Sequence, residues 1–177
     1  MSLQQTYTTQ IAPRLMTELG LTHALAVPRL RHVSVNVGTG HGLKDPKFNE
    51  VVEHTLTRIT GQKPVRTLAK KSISNFKIRQ GLVVGYQVTL RGQRMYDFVD
   101  KLIHVTLPRI RDFRGLDPKS IDARGNLTIG FREHLVFPEI RSDEVEKIHG
   151  LEVTLATNAG TKERGYVLLK ALGFPFK

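Results

Sequence analysis

The chain contains no cysteine, which excludes disulfides, thiol nucleophiles and Cys-ligated zinc or iron–sulfur sites. No apolar run approaches the roughly 20 residues that a membrane-spanning helix requires. The first residues, MSLQQTYTTQ, lack both the basic start and the apolar centre of a secretory signal. A soluble, intracellular protein is expected. Reaction motifs are missing as well: there is no GxxxxGK[ST] phosphate loop, no HExxH helix and no GxSxG elbow. Histidines at 23, 32, 41, 54, 104, 134 and 149 stand without metal-ligand spacing. Glu133, His134 and Glu139 can be drawn as an acid–base set, but such sets arise readily by chance in so charged a chain. The expectation is no enzyme, no cofactor and no metal.

The most informative absence is of acids. Between Gly61 and Arg94 stand Lys63, Arg66, Lys70, Lys71, Lys77, Arg79, Arg91 and Arg94, with no Asp or Glu among them. The nearest acids in sequence are Glu53 and Asp97. Such a segment repels itself unless a polyanion lies against it. A solvated basic face is the ordinary alternative, and the total lack of acids weighs against it. The whole chain agrees, with a net charge of +11 and a pI of about 10.2, which points to nucleic acid or an acidic membrane surface. A membrane is disfavoured because the basic residues do not line an amphipathic helix with Trp or Phe opposite.

What is present reads as one α+β domain spanning residues 1–177. Hydrophobic content of 40% with 24% charged residues is globular composition. Tyr7, Ile11, Leu15 and Leu19 recur every fourth residue, which predicts a helix over 3–19 that stops at Gly20. Arg29 to Val37 alternates, with Val33, Val35 and Val37 inward and His32, Ser34 and Asn36 outward. The turn Gly38-Thr39-Gly40-His41-Gly42 follows. Its G-x-G-x-G spacing, with Leu43 where a last glycine would fall, does not fit a dinucleotide-binding loop. Asp45-Pro46 then caps a helix whose inner face is Phe48, Val52, Leu56 and Ile59, ending at Gly61.

The basic stretch divides in three. Gly61 to Leu68 reads as a short extended piece, and Ala69 to Gln80 as a long basic loop around a single aromatic, Phe76. Val84 to Leu90 reads as a strand with Gln87, Thr89 and Arg91 outward. Doubled back on itself, the loop would project on the order of 15 Å. A helix over 93–104 follows through Met95, Phe98, Val99 and Leu102, and Pro108 is expected to end it. Residues 106–126 read as irregular. Strands over Leu127–Arg132 and Leu151–Thr157, with the acids Asp143, Glu144 and Glu146 between them, precede a last helix from about Thr161 to Leu172.

These four strands bury aliphatic side chains on one face. On the other they show Ser34, Asn36, Gln87, Thr89, Asn126, Thr128 and Thr154. That pattern predicts an antiparallel sheet with helices on one face and a flat polar side. The polar side suits an RNA minor groove, which is recognised by shape and 2′-hydroxyl contacts.

The blocks GQKP at 61–64, KKSISNFKIRQG at 70–81, VTLRG at 88–92, PRIRDFRGL at 108–116, FPEI at 137–140 and FPF at 174–176 resemble, in order and over nearly the whole chain, the bacterial 5S-rRNA-binding protein family of the large ribosomal subunit. The resemblance implies a cytoplasmic ribosomal protein that helps attach 5S rRNA to the central protuberance, beside large-subunit rRNA. It also implies contact with the peptidyl-site tRNA and an intersubunit bridge to a small-subunit head protein. Carried over, the 5S contacts fall on Asn36, Gln62, Lys63, Thr89 and Arg91. The tRNA-facing loop supplies Lys70, Lys71, Phe76, Lys77 and Arg79, and the bridge Arg109, Arg111 and Arg114. A free-standing RNA-binding or RNA-chaperone domain is the alternative reading.

Overall fold

The computed structural model describes residues 2–40, 45–141 and 147–177. His41 and Gly42 of the glycine-rich turn, and the acids Asp143, Glu144 and Glu146, lie outside the described residues. Helix α1 comprises consecutive segments Leu3–Thr6, a π turn Tyr7–Ile11, and Ala12–Glu18. It is followed by β1 (Leu30–Gly38), α2 (Pro46–Thr60), β2 (Val65–Leu68) and β3 (Val83–Leu90). Helix α3 (Gly92–Lys101) runs on through a π turn, Leu102–Thr106, and a 3-10 turn, Leu107–Arg109. Strands β4 (Leu127–Phe131) and β5 (Leu151–Thr157) and helix α4 (Lys162–Ala171) complete the chain.

Most expected elements are present. Ile11 and Leu15 are buried on α1, and Val52, Leu56 and Ile59 on α2. Asp45 caps α2 by accepting from the Lys47 amide. Gly61 ends that helix at φ +66°, a backbone region that glycine enters without steric cost. The helical run ends one residue after Pro108, at Arg109, as expected. The π turn carries the Leu107 amide to the Leu102 carbonyl, and the proline sits at the start of the closing 3-10 turn.

The strands lie in the order β2-β3-β1-β5-β4. The end of β1 meets the start of β3 through Thr39 N–H to the Val84 carbonyl (3.0 Å), and its start meets the end of β5 through Asn158 N–H to the Arg29 carbonyl (3.2 Å). Both pairings are antiparallel. The extended piece after Gly61 becomes a fifth strand at the edge, β2, paired antiparallel with β3 as Val65↔Gln87, Arg66↔Tyr86 and Thr67↔Gly85. A shift between Thr67 and Leu68 then moves Leu68 opposite Val83, a bulge of the kind that bends strand edges.

Residue contacts divide the chain into two compact units: Met1–Val33, Leu90–Ile129 and Thr154–Lys177 form the first, and Ser34–Thr89 with Gly130–Val153 the second. In the first, Tyr7 donates its hydroxyl to the Pro28 carbonyl (2.9 Å), and its ring lies 6.1 Å from that of Tyr96 on α3. In the second, Val35, Leu56 and Val153 are wholly inaccessible. Each such side chain is stabilised by about 1.5–3 kcal/mol on leaving water.

Candidate nucleic-acid interface

Within the second unit, alternation along β1 and β3 sends small neutral polar groups to one face. Ser34 is half-buried and Asn36 exposed on β1, and Gln87 and Thr89 are half-buried on β3. Gln87 Nε2 donates to Ser34 Oγ at 2.8 Å, which ties the two strands and fixes both side chains. Gln62 is tied back to the strand. Its Nε2 donates to the Thr89 carbonyl at 3.3 Å, and its own amide is satisfied by Thr60 Oγ1 at 3.3 Å. The GQKP turn is thereby fastened beside the end of β3, with the Gln62 side-chain carbonyl left to accept from a ligand. Lys63, next in sequence, has a side chain 83% exposed.

The acid-free stretch is not free of acids in space. Glu53 on α2 places its carboxylate 3.3 Å from Arg66 and 3.9 Å from Lys63. The chain reverses at Gly61 and brings the following cations back beside this acid, so the local field is weaker around Lys63 and Arg66 than the sequence suggests. Asn126 also departs from expectation. Its side chain accepts from the Thr157 amide (2.8 Å) and donates to Asp122 (2.8 Å), so it locks a turn in the first unit instead of lining an open face. Arg91 is exposed at the start of α3, also in the first unit. Thr128 and Thr154 share a hydrogen bond of 3.2 Å there.

The basic loop is built, not loose. Ala69 N–H donates to the Leu82 carbonyl (2.8 Å), and Gly81 N–H returns to the Ala69 carbonyl (3.0 Å). Farther out, Ile73 and Ile78 exchange both backbone hydrogen bonds, at 2.9 and 3.1 Å. Ser72 Oγ accepts from the Gln80 amide at 2.9 Å. A 3-10 turn, Ser74–Phe76, closes the tip, and Lys77 takes φ +55° to reverse the chain. Lys70, Lys71, Phe76, Lys77 and Arg79 are all exposed. Phe76 is 68% exposed, and Ile73 on the same hairpin 45% exposed. Sequence reasoning found these residues through charge and the lone aromatic, but the hairpin bonds depend on register and left no local signal.

The third group, Arg109, Arg111 and Arg114, is exposed on a segment of the first unit. Its base is held by the C-terminus: Leu116 N–H donates to the Pro175 carbonyl (2.7 Å) and Lys177 N–H to the Leu116 carbonyl (3.1 Å). Gly115 has φ +98°, and a Cβ there would fall 2.9 Å from the Lys177 nitrogen. Only glycine fits.

One pair escaped sequence reasoning. His134 and His149 stack with centroids 4.1 Å apart and planes 13° from parallel, and both are buried. His134 Nδ1 lies 3.2 Å from both the amide nitrogen and the carbonyl oxygen of His149. Burial lowers both imidazoles below their ordinary range, and burial together with His134 takes His149 to about 4. Burial thus favours the neutral form of both rings. Among the described residues, no cluster of three or more His, Asp or Glu is placed to hold a metal, and no helix is long and apolar enough to cross a membrane.

Comparison with known proteins places these features in one lineage. Residues 23–79 match the family model described as "Ribosomal protein L5", and residues 83–176 match the model of the C-terminus of the same ribosomal family. The large ribosomal subunit protein uL5 of Halothermothrix orenii is 55% identical, over 98% of this chain and 97% of its own length. Those of Herpetosiphon aurantiacus and Heliobacterium modesticaldum are 51% and 48% identical, each over 99% of this chain and 98% and 97% of their own lengths. With both halves matched in order and relatives alike from end to end, the chain belongs to the ribosomal protein L5 family.

Proposed function

We propose that this non-enzymatic structural protein of the large ribosomal subunit holds 5S rRNA against the face carrying Ser34, Asn36, Gln87 and Thr89, and helps attach it to the central protuberance. The observation that carries the reading is the neutral, hydrogen-bonded character of that face. Ser34 is held by Gln87 and the Thr89 carbonyl by Gln62, so the groups are positioned before RNA arrives. Preset donors and acceptors suit ribose hydroxyls and base edges in a shallow RNA minor groove. Lys63 adds a phosphate contact at the margin, and Arg91 is proposed to add another; such contacts fix position without reading sequence.

The basic hairpin supports a second contact, with the peptidyl-site tRNA. Lys70, Lys71, Lys77 and Arg79 would face its phosphates, and Phe76 would lie against a ribose or base. Arg109, Arg111 and Arg114 are the proposed bridge to a small-subunit head protein. Nuclease footprinting of 5S rRNA with the wild-type protein and with Asn36→Ala tests the main reading. Protection by the first and its loss with the second is the expected result. Wild-type protein that leaves the 5S cleavage pattern unchanged would refute it.

A further inference from the structure

We propose that the first unit carries its own RNA-phosphate clamp, in a groove of about 700 Å³ lined by Arg29, Arg31, His32, Arg91, Gln4 and Thr8. The inference rests on the reading of the chain as an rRNA-binding protein; to Arg91 it adds Arg29, Arg31, Gln4 and Thr8, none of which belongs to the polar face or the basic hairpin. The groove is open to solvent and large enough to take a ligand of nucleotide size. No lining residue is acidic. Among the described residues, none of the three arginines has a carboxylate partner.

Three arginines line this groove, and the backbone beneath Arg29 is held from several sides. The Arg29 amide donates to Asn158 Oδ1 at 2.6 Å, and the Asn158 amide donates to the Arg29 carbonyl at 3.2 Å. One residue earlier, the Pro28 carbonyl accepts from the Tyr7 hydroxyl. Tyr7 and Tyr96 form part of the wall, and with its hydroxyl engaged Tyr7 contributes ring surface and no charge. Arg91 stands at the start of α3, where no side chain caps the helix. The unpaired amides of that first turn add to the positive field of the groove.

An RNA backbone fits better than an acidic peptide. Each guanidinium presents a planar fork that binds two phosphate oxygens at once, and Gln4, Thr8 and His32 offer partners for ribose hydroxyls. Arginine side chains here are not needed to build the strand, because Arg29 is anchored through its backbone alone. A double variant, Arg29→Gln with Arg31→Gln, therefore removes charge while keeping the fold.

The test measures binding of the full chain to 5S rRNA, and separately to protein-free large-subunit rRNA, between 50 and 200 mM salt. For at least one of the two RNAs, the salt-induced loss of affinity should shrink about tenfold in the double variant, because two fewer phosphates are neutralised. Which RNA responds identifies the strand that occupies the groove. Unchanged salt dependence for both RNAs, in a variant whose circular dichroism and melting temperature match the wild type, would overturn the clamp. So would loss of binding to a partner protein with both RNA affinities intact. Failure of Asn36→Ala to affect 5S binding would count against the polar face alone, so the two readings fail separately.

Discussion

Under the proposed function, two regions of the second unit engage RNA by different means. The face formed by β1 and β3 carries almost no charge, and its polar groups are already hydrogen-bonded to one another, Ser34 to Gln87 and Gln62 to the Thr89 carbonyl. The hairpin of residues 69–82 carries Lys70, Lys71, Lys77 and Arg79 and an exposed Phe76, and its order lies in its backbone. A neutral, preset surface gains little from long-range attraction but discriminates by geometry. A basic hairpin attracts any polyanion, and an exposed ring tolerates any base. Selection by shape and attraction by charge need different side chains, and the proposed function assigns them to separate elements.

The largest effect should come from salt. If about six lysines and arginines across the whole protein neutralise 5S phosphates, affinity should fall by about 10³-fold or more between 50 and 200 mM salt. Filter binding across that range measures it. A flat response would mean that neutral contacts carry the complex alone, and the contrast between the two regions would lose its electrostatic half.

Acid should act on the scaffold that both regions share. His149 has a folded value of about 4 against roughly 6.5 in an unfolded chain. Its folded value is depressed, so stability is full above the unfolded value. It is lost as pH falls from about 6.5 towards 4, and becomes flat in this contribution below that. One buried imidazole shifted this far contributes on the order of 3 kcal/mol to that loss. Chemical denaturation at pH 7, 5.5 and 4.5 should show a falling midpoint, with 5S binding and tRNA binding lost together. Selective loss of one partner would separate the regions more deeply than the fold does.

Smaller effects should distinguish the regions directly. Thr89→Val and Asn36→Ala should each weaken 5S binding by about 1 kcal/mol, roughly fivefold, with the salt slope unchanged because no charge is removed. Isothermal titration with a parallel melt checks both points, and a lost fold would place these side chains on the buried side. Smallest of all for 5S rRNA should be Lys71→Gln with Lys77→Gln, which should leave its affinity within about twofold while weakening tRNA crosslinking to the hairpin. Equal losses for both RNAs would end the division of labour.

Much of this was readable in the chain because the signals are local. Alternation of Val33, Val35 and Val37 against Ser34 and Asn36 fixes which face of a strand is polar, since successive side chains must point to opposite sides. Asp45 and Gly61 bracket α2 because capping is decided within a few residues. The five-residue π turns in α1 and α3 were not readable. They add a residue without changing the apolar pattern enough to show.

By itself, then, the amino-acid sequence determined the strand faces, the ends of the helices, the sign of the charge and the resemblance that led to the ribosomal protein L5 family. Only the tertiary structure decided which charges stay unpaired. It brought Glu53 against Lys63 and Arg66, turned Gln62 onto the Thr89 carbonyl and Asn126 into a locked turn, and stacked His134 on His149 across fifteen residues. It also gathered Arg29, Arg31 and Arg91 around one groove. Periodicity and capping act over one or two turns of chain, whereas ion pairs, stacked rings and clefts depend on strand order and packing, which bring together residues that no local pattern connects.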